Sequence, residues 1–486
     1  MKKKDLKPAG VFKYFEEICQ VPRPSKKEEK MIAYLKAFGA KRNLETKVDE
    51  AGNVLIKKPA TTGKENLQTV VLQSHIDMVC EKNNDVQHDF LTDPIETEID
   101  GEWLKAKGTT LGADNGIGVA TELAILADDS IEHGPLECLF TVDEETGLTG
   151  AFALKEGFMS GDILLNLDSE DEGEIFIGCA GGIDSVAEFT YKDIEVPAGY
   201  FFFKVEVKGL KGGHSGGDIH LGRGNANKIL NRFLTRIADN NDLYLCEING
   251  GNLRNAIPRE AYAVCAVPED AKHDVRTELN IFASEMEDEL SVVEPDLKLV
   301  LESESPRKTA IDQDTTGRLL KALYAAPHGV YAMSQDIPGL VETSTNLASV
   351  KMKPGNIIRI ETSQRSSILS ARNDMANTVR AVFRLAGAEV TFGEGYPGWK
   401  PNPHSAILNV ATESYRRLFG VDAKVKAIHA GLECGLFLDK YPTLDMISFG
   451  PTLTGVHSPD ERMLIPTVDK FWKHLLDILV HVPAKK

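Results

Sequence analysis

Val70-Val71-Leu72-Gln73-Ser74-His75-Ile76-Asp77-Met78 is the stretch from which the rest of the chain can be read. It opens on three apolar residues, two of them β-branched, the composition of a strand buried on both faces. His75 and Asp77 stand two apart, so an extended backbone points both side chains to one face. Ligands of α/β sheets bind beyond the carboxyl ends of the strands. An imidazole there, with a carboxylate beside it, suits a metal ligand and its orienting partner. Alone, a His-x-Asp pair is an ordinary surface feature.

Working outward, Leu139 to Val142 and Ile163 to Leu165 read as further buried strands, and Gly116 to Leu126 as a helix between two of them. This alternation predicts an α/β domain with a mainly parallel sheet. Upstream, Val11, Phe12, Phe15 and Ile18 recur at helical spacing, as do Met31, Ile32 and Leu35 beyond the break at Pro22 and Pro24. Thr46 to Val48 and Asn53 to Ile56 flank Asp49-Glu50-Ala51-Gly52 and predict a hairpin. Downstream, from about residue 185, the pattern changes to alternating strands such as Phe203 to Val207, with helices expected over 224–238, 274–290 and 315–326. After Gly393 to Trp399 the first style resumes, with a helix over 404–419 and a buried run at Leu444 to Phe449. The expected organisation is one α/β domain, 1–186 and 395–486, interrupted by an inserted α+β domain, 187–394.

Lys and Arg number 55 against 73 Asp and Glu, a formal charge of -18, which argues against a phosphate-neutralising surface for nucleic acid. No unbroken run of about 18 apolar residues occurs, so no membrane-spanning helix is predicted. The basic start Met1 to Lys7 lacks the apolar stretch of a signal peptide, and the seven cysteines are odd in number and far apart. Reduced thiols and a cytoplasmic protein are expected.

Four other segments carry chemistry. Gly108 to Gly118 is a small-residue loop holding Asp114 at a helix start. Phe140-Thr141-Val142-Asp143-Glu144-Glu145-Thr146-Gly147 sets three acids directly after a strand, with no basic residue near. Self-repulsion makes that costly without a cation. Leu164 to Asp171 delivers Asp168 in the same way, and Phe449 to Glu461 brings His457 after the last buried run. Each has a plain alternative as a turn or a solvated acidic loop. Together, two imidazoles and several carboxylates without thiolates suit paired zinc, with manganese or cobalt as alternatives.

At these residues the chain resembles the M20 metallopeptidases, and within them the aminoacyl-histidine (Xaa-His) or cytosolic non-specific dipeptidases. Ser74 to Val79, Leu111 to Gly116, Asp143 to Gly147 and Lys211-Gly212-Gly213-His214-Ser215-Gly216 follow the order of that family's motifs. The resemblance implies that His75 and Asp168 hold one divalent ion, that Glu145 and His457 hold the other, and that Asp114 bridges them. It implies Asp77 as the support of His75, Glu144 as general base, His214 as oxyanion donor and a cis peptide at Asp114-Asn115. Recognition of a free α-carboxylate suits a guanidinium fork. Arg365, Asn255 and Gly431 are the substrate contacts chosen by similarity; His214, Asn255 and Arg365 fall in the inserted domain, which would act as a lid. The expected partner is a small peptide, and a homodimer remains compatible with a chain that builds its own site. The rival readings are an aminoacylase or other N-acyl amino acid amidohydrolase of the same family, and a non-catalytic binding protein on this fold.

Overall fold

The strand Val70–His75 lies inside an eight-stranded sheet of the computed structural model, which describes residues 3–485. Met1 and Lys2 of the basic start lie outside the described residues. In order the strands are Glu45–Val48, Val54–Lys58, Leu136–Thr141, Val70–His75, Ile163–Asn166, Asp445–Ser448, Glu174–Cys179 and Lys424–Ile428. The middle four, Leu136–Thr141 to Asp445–Ser448, run parallel. The hairpin 45–58 joins one side antiparallel, and Glu174–Cys179 pairs antiparallel on the other. The sheet is therefore mixed rather than mainly parallel. The sequence pattern marks the hairpin itself but not the edge it adds to.

Burial explains why the four parallel strands read as unbroken apolar runs. All six residues of Val70–His75 and of Leu136–Thr141 are buried, as are the four of Ile163–Asn166. Helix Ala113–Ala127 is buried along almost its whole length, and the described backbone contains a cis peptide at Asp114-Asn115. Glu122 on this helix accepts from Ser74 Oγ at 2.6 Å. Its far end is closed by Lys58, whose Nζ donates to the carbonyls of Ile125 and Asp128, each at 2.9 Å.

Two compact units divide the chain. The first is Met1–Cys179, Trp399–Ala427 and Leu432–Lys486, and the second is Ala180–Gly398 with Ile428–Gly431. These borders differ from 186/187 and 394/395. Strand Gly181–Thr190 belongs wholly to the second unit and opens on two glycines, which carry no side chain to show an alternation. Residues 395–398 join it because Gly182 and Tyr396 exchange backbone hydrogen bonds of 3.0 and 2.8 Å.

The second unit is α+β, built on a nine-stranded sheet whose recorded pairings are all antiparallel. Helices Ala226–Asn240, Lys272–Leu290 and Gln313–Ala325 occur close to where the sequence predicts them. A fourth, Leu369–Leu385, was not expected, although Met375, Ala376, Val379 and Phe383 form its buried stripe. Phe203, Phe233, Phe282 and Phe383 are central to the core. Asn225 caps the first of these helices by accepting from the N–H groups of Asn227 and Lys228. Among the described residues no helix is long and apolar enough to cross a membrane, and all seven cysteines are free.

Lys58→Met should lower the unfolding free energy by about 1.5–3 kcal/mol, the usual loss for a charged donor leaving buried acceptors. Its ion pair with Asp129, which is 97% exposed, adds little. Urea denaturation measures the effect, and bound-metal content should not change.

Candidate metal centre

The four parallel strands end on the same side of the sheet, so their carboxyl ends converge. His75 is the last residue of its strand, Asp77 follows it, Glu144 and Glu145 begin a single helical turn after Leu136–Thr141, and Asp168 follows Ile163–Asn166. His457 comes from the loop of a second hairpin, Leu453–Thr454 with Arg462–Leu464. Asp114 arrives from the loop leading into helix Ala113–Ala127.

The donor atoms fall into two groups sharing Asp114. His75 Nε2 lies 3.1 Å from Asp114 Oδ1 and 3.4 Å from Asp168 Oδ1. His457 Nε2 lies 3.2 Å from Asp114 Oδ2 and 3.0 Å from Glu145 Oε2. Ligands bound at about 2.0–2.1 Å around a tetrahedral ion are separated by roughly 3.3 Å. The spacing therefore fits two ions with Asp114 between them. The group His75, Asp114 and Glu145 offers donors all within 4.8 Å of one another. Glu145 Oε1 is buried without a hydrogen-bond partner.

Asp77 is fully buried below His75, with Oδ1 at 3.3 Å from the ring Nδ1, though without hydrogen-bond alignment. It also accepts from Ser25 Oγ at 2.8 Å and from the backbone N–H groups of Glu144 and Glu145 at 3.0 and 3.3 Å. Burial alone would raise its pKa. The facing His75 ring, with the hydrogen bonds from Ser25 and the Glu144 amide, outweighs burial and holds it at about 2. One carboxylate thus ties the His75 strand to the turn that carries both glutamates.

Three of the neighbouring acids are destabilised as anions. Burial, reinforced by Asp168, Glu433 and Glu145, pushes Glu144 well above the usual carboxylate range. Burial lifts Asp168 to about 6, and burial with Asp114 and Asp168 lifts Glu170 to about 8. No Lys or Arg pairs with Asp114, Glu144, Glu145 or Asp168 among the described residues. A bound cation reverses this local balance, since its charge is then the largest in the site. Hydrogen bonds to Asp114 and Glu145 raise His457 to about 11, in keeping with a place that favours positive charge.

The remaining candidates lie in the second unit. His214 Nδ1 accepts from Gly217 N at 2.9 Å, so the neutral ring carries its proton on Nε2. Burial and then Arg365 lower its pKa to about 4. Arg365, 7% exposed, donates to Ser215 Oγ at 3.3 Å and Tyr396 Oη at 2.9 Å, with no carboxylate partner among the described residues. Exposed Asn255 accepts through its backbone carbonyl from Ser215 N at 2.8 Å. A Cβ on Gly431 would fall 2.9 Å from the Tyr396 ring, so a side chain there would collide. The four therefore belong to one neighbourhood around Ser215 and Tyr396.

Sequence reasoning gave no role to Arg23, Glu433 or Glu461. Glu433, fully buried, accepts from Gln73 Nε2 at 2.6 Å and Thr141 Oγ1 at 2.8 Å. Glu461 accepts from the loop that holds Asp114, and Arg23 donates to it. The available signal was position: Glu461 follows His457 by four residues.

A mixed α/β sheet with two histidines and several carboxylates gathered near its strand ends, and no Lys or Arg paired with Asp114, Glu144, Glu145 or Asp168 among the described residues, is the frame of a metal-dependent peptidase. The chain belongs to the peptidase family M20/M25/M40, whose sequence profile matches residues 71–481. It is 46% identical over 480 residues to the cytosol non-specific dipeptidase of Escherichia coli K12, covering 99% of each protein. The crystal structure of aminoacylhistidine dipeptidase from Vibrio alginolyticus superposes with a TM-score of 0.93 at 46% identity, over 100% of this chain and 99% of that one. Aminopeptidase PepT from Bacillus cereus shares the fold at 16% identity, with a TM-score of 0.61 over 98% of this chain and 99% of that one.

The second unit should lose stability in acid. His214, and His429 whose pKa burial and Arg365 lower to about 3, refuse protons that the unfolded chain takes up below about pH 6.5. Their contribution is present above that pH and is lost as pH falls towards 4. Scanning calorimetry between pH 7 and 4.5 should show a falling Tm, with a shallower slope for His429→Gln.

Proposed function

We propose that this chain is a cytosolic two-metal dipeptidase, acting on Xaa-His and other dipeptides of little side-chain selectivity. The observation that carries the reading is Asp114, with Oδ1 towards the His75 and Asp168 group and Oδ2 towards the His457 and Glu145 group. The two relatives at 46% identity support the substrate class. Nitrogen and carboxylate donors without thiolate favour zinc, with manganese or cobalt as the alternatives.

In this reading His75 and Asp168 hold one ion, His457 and Glu145 the other, and Asp114 both. Bound there, two divalent ions supply an acidified water and a polarised scissile carbonyl. Glu144 takes the proton of the attacking water on a carboxylate oxygen and passes it to the leaving amine. Asp77 keeps the His75 ring oriented. The second unit, residues 180–398 with 428–431, serves as a lid. From it, neutral His214 offers Nε2–H to the developing oxyanion. Arg365 receives the substrate α-carboxylate, with Asn255 and the backbone of Gly431 beside it. A buried guanidinium with no ionic partner among the described residues is the feature that favours a dipeptide with a free carboxyl end.

Glu144→Gln should cut kcat by about 10²–10⁴-fold, the usual share of a general base, with both metals still bound by elemental analysis. An unchanged rate would remove Glu144 from the mechanism and leave the binding-protein reading standing. Comparison of kcat/KM for carnosine and other dipeptides with that for N-acetyl amino acids separates the dipeptidase from the amidohydrolase of the same family. Faster turnover of the acetylated substrates would overturn the assignment.

A further inference from the structure

The hairpin loop that carries His457 also carries Glu461, which is 2% exposed. Its Oε2 accepts from the backbone N–H groups of Leu111 and Gly112 at 2.7 and 2.9 Å. Its Oε1 accepts from those of Ala113 and Asp114 at 2.8 and 3.3 Å. One carboxylate thus satisfies four successive amides, the last of them that of Asp114 itself. An ordinary helix cap satisfies one or two. No Lys, Arg or His forms an ion pair with Glu461 among the described residues. The negative charge is held by amide donors at a helix start, where such charge is favoured.

The opposite side of the same loop meets Arg23, also 2% exposed. Its Nη2 donates to the Gly112 carbonyl at 2.5 Å, and its Nη1 to those of Ile76 and Asp77 at 3.1 and 2.9 Å. A Cβ on either Gly112 or Gly116 would lie 2.6 Å from Nη2. The glycines make the room that the guanidinium fills. Neither charged group is placed against the donor atoms of His75, Asp114 or His457; both act on backbone.

We propose that Glu461 and Arg23 are positioning residues that fix the Asp114 loop, from its amide and carbonyl sides respectively, in its metal-binding form before metal arrives. This rests on the reading of Asp114 as the shared ligand. Arg23 sets the loop against the end of the His75 strand, and Glu461 sets it against the His457 hairpin. The distance between the two histidine groups is thereby set by two buried charges rather than by the ions. Glutamine cannot replace Glu461 without loss, because its NH2 would face two amide donors.

Hydrogen exchange on the wild-type protein tests this directly. Amides of Leu111 to Asp114 should be as protected as those of Val70–His75 in both the metal-free and the metal-loaded protein. Rapid exchange of these four amides in the metal-free protein would overturn the proposal. Glu461→Gln and Arg23→Lys, loaded with cobalt, should bind metal about 10–100-fold more weakly in chelator competition, the usual effect of groups that orient ligands. Their visible Co(II) spectra should shift, and kcat should fall while KM holds. Glu137→Gln is the control: Glu137 is equally buried in the same unit and binds Lys57 and Ser160 away from the loop. It should lower Tm and leave affinity and spectrum unchanged. A folded Glu461→Gln protein with wild-type affinity and spectrum would also overturn the proposal. Should that variant fail to fold, Arg23→Lys and the exchange experiment decide. Asp114→Asn separates the two readings: if it sheds metal while Glu461→Gln does not, only the positioning claim falls, whereas full metal retention by Asp114→Asn refutes the shared ligand.

Discussion

The first unit depends on placing several carboxylates together where water screens them only weakly. Asp77, Asp114, Glu144, Glu145 and Asp168 converge near the ends of parallel strands with two imidazoles, and among the described residues no Lys or Arg pairs with the last four. Mutual repulsion in a buried site raises the pKa of carboxylates or expels them. Here they stay because each is tied to backbone that cannot move independently. Asp77 holds the amides of Glu144 and Glu145, and Asn115 Nδ2 donates to both the Leu167 carbonyl and Asp168. What makes the site costly as bare protein is what makes it selective for cations.

Below the ligands, a chain of buried hydrogen bonds crosses the parallel strands. Glu433 accepts from Thr141 and Gln73; Gln73 Oε1 accepts from Asn166; Asn166 Oδ1 accepts from Ser448, whose hydroxyl meets Ser169. The Asn166 links to Gln73 and Ser448 join neighbouring strands directly, and Glu433, at the start of helix Glu433–Lys440, bridges the strands of Gln73 and Thr141. A one-residue slip of a strand would turn its ligand to the other face and break this chain as well. Polar residues in otherwise apolar strands therefore specify register, and the cost of burying them is offset only because nearly all are paired.

Much of this was legible in sequence because strand and ligand share one segment. Val70 to Leu72 announces a buried strand and His75 stands at its end, so fold and site are read from the same residues. The hairpin 45–58 was visible for the same local reason. What escaped depends on long-range contact. Arg23 looks like a charged residue between two prolines, and nothing local shows that it will lie buried against Ile76, Asp77 and Gly112. Residues 428–431 join the second unit because Ala180 N donates to the carbonyls of Ile428 and Ala430, a pairing across about 250 residues that no periodicity records. Helix Leu369–Leu385 was hidden because its buried stripe includes Arg372, whose guanidinium donates to the carbonyls of Gly182 and Tyr396.

The small residues around Asp114 show how far a motif can be explained by packing. Gly112 sits at φ 67°, a backbone conformation that favours glycine, and its missing Cβ leaves space for Arg23 and Met78. Gly116 faces the same guanidinium, with Phe15 and Ile18 behind it. A Cβ on Gly118 would run into the Asn115 amide oxygen and Ser74. The amide of Asn115 must stay in place because its Nδ2 orients Asp168. Each glycine thus clears the path of a side chain that acts on a ligand segment. The loop is poor in side chains because its neighbours supply the charges: Glu461 to its amides, Arg23 to its carbonyl. Its only acidic side chain, Asp114, is thereby left free to face both histidines.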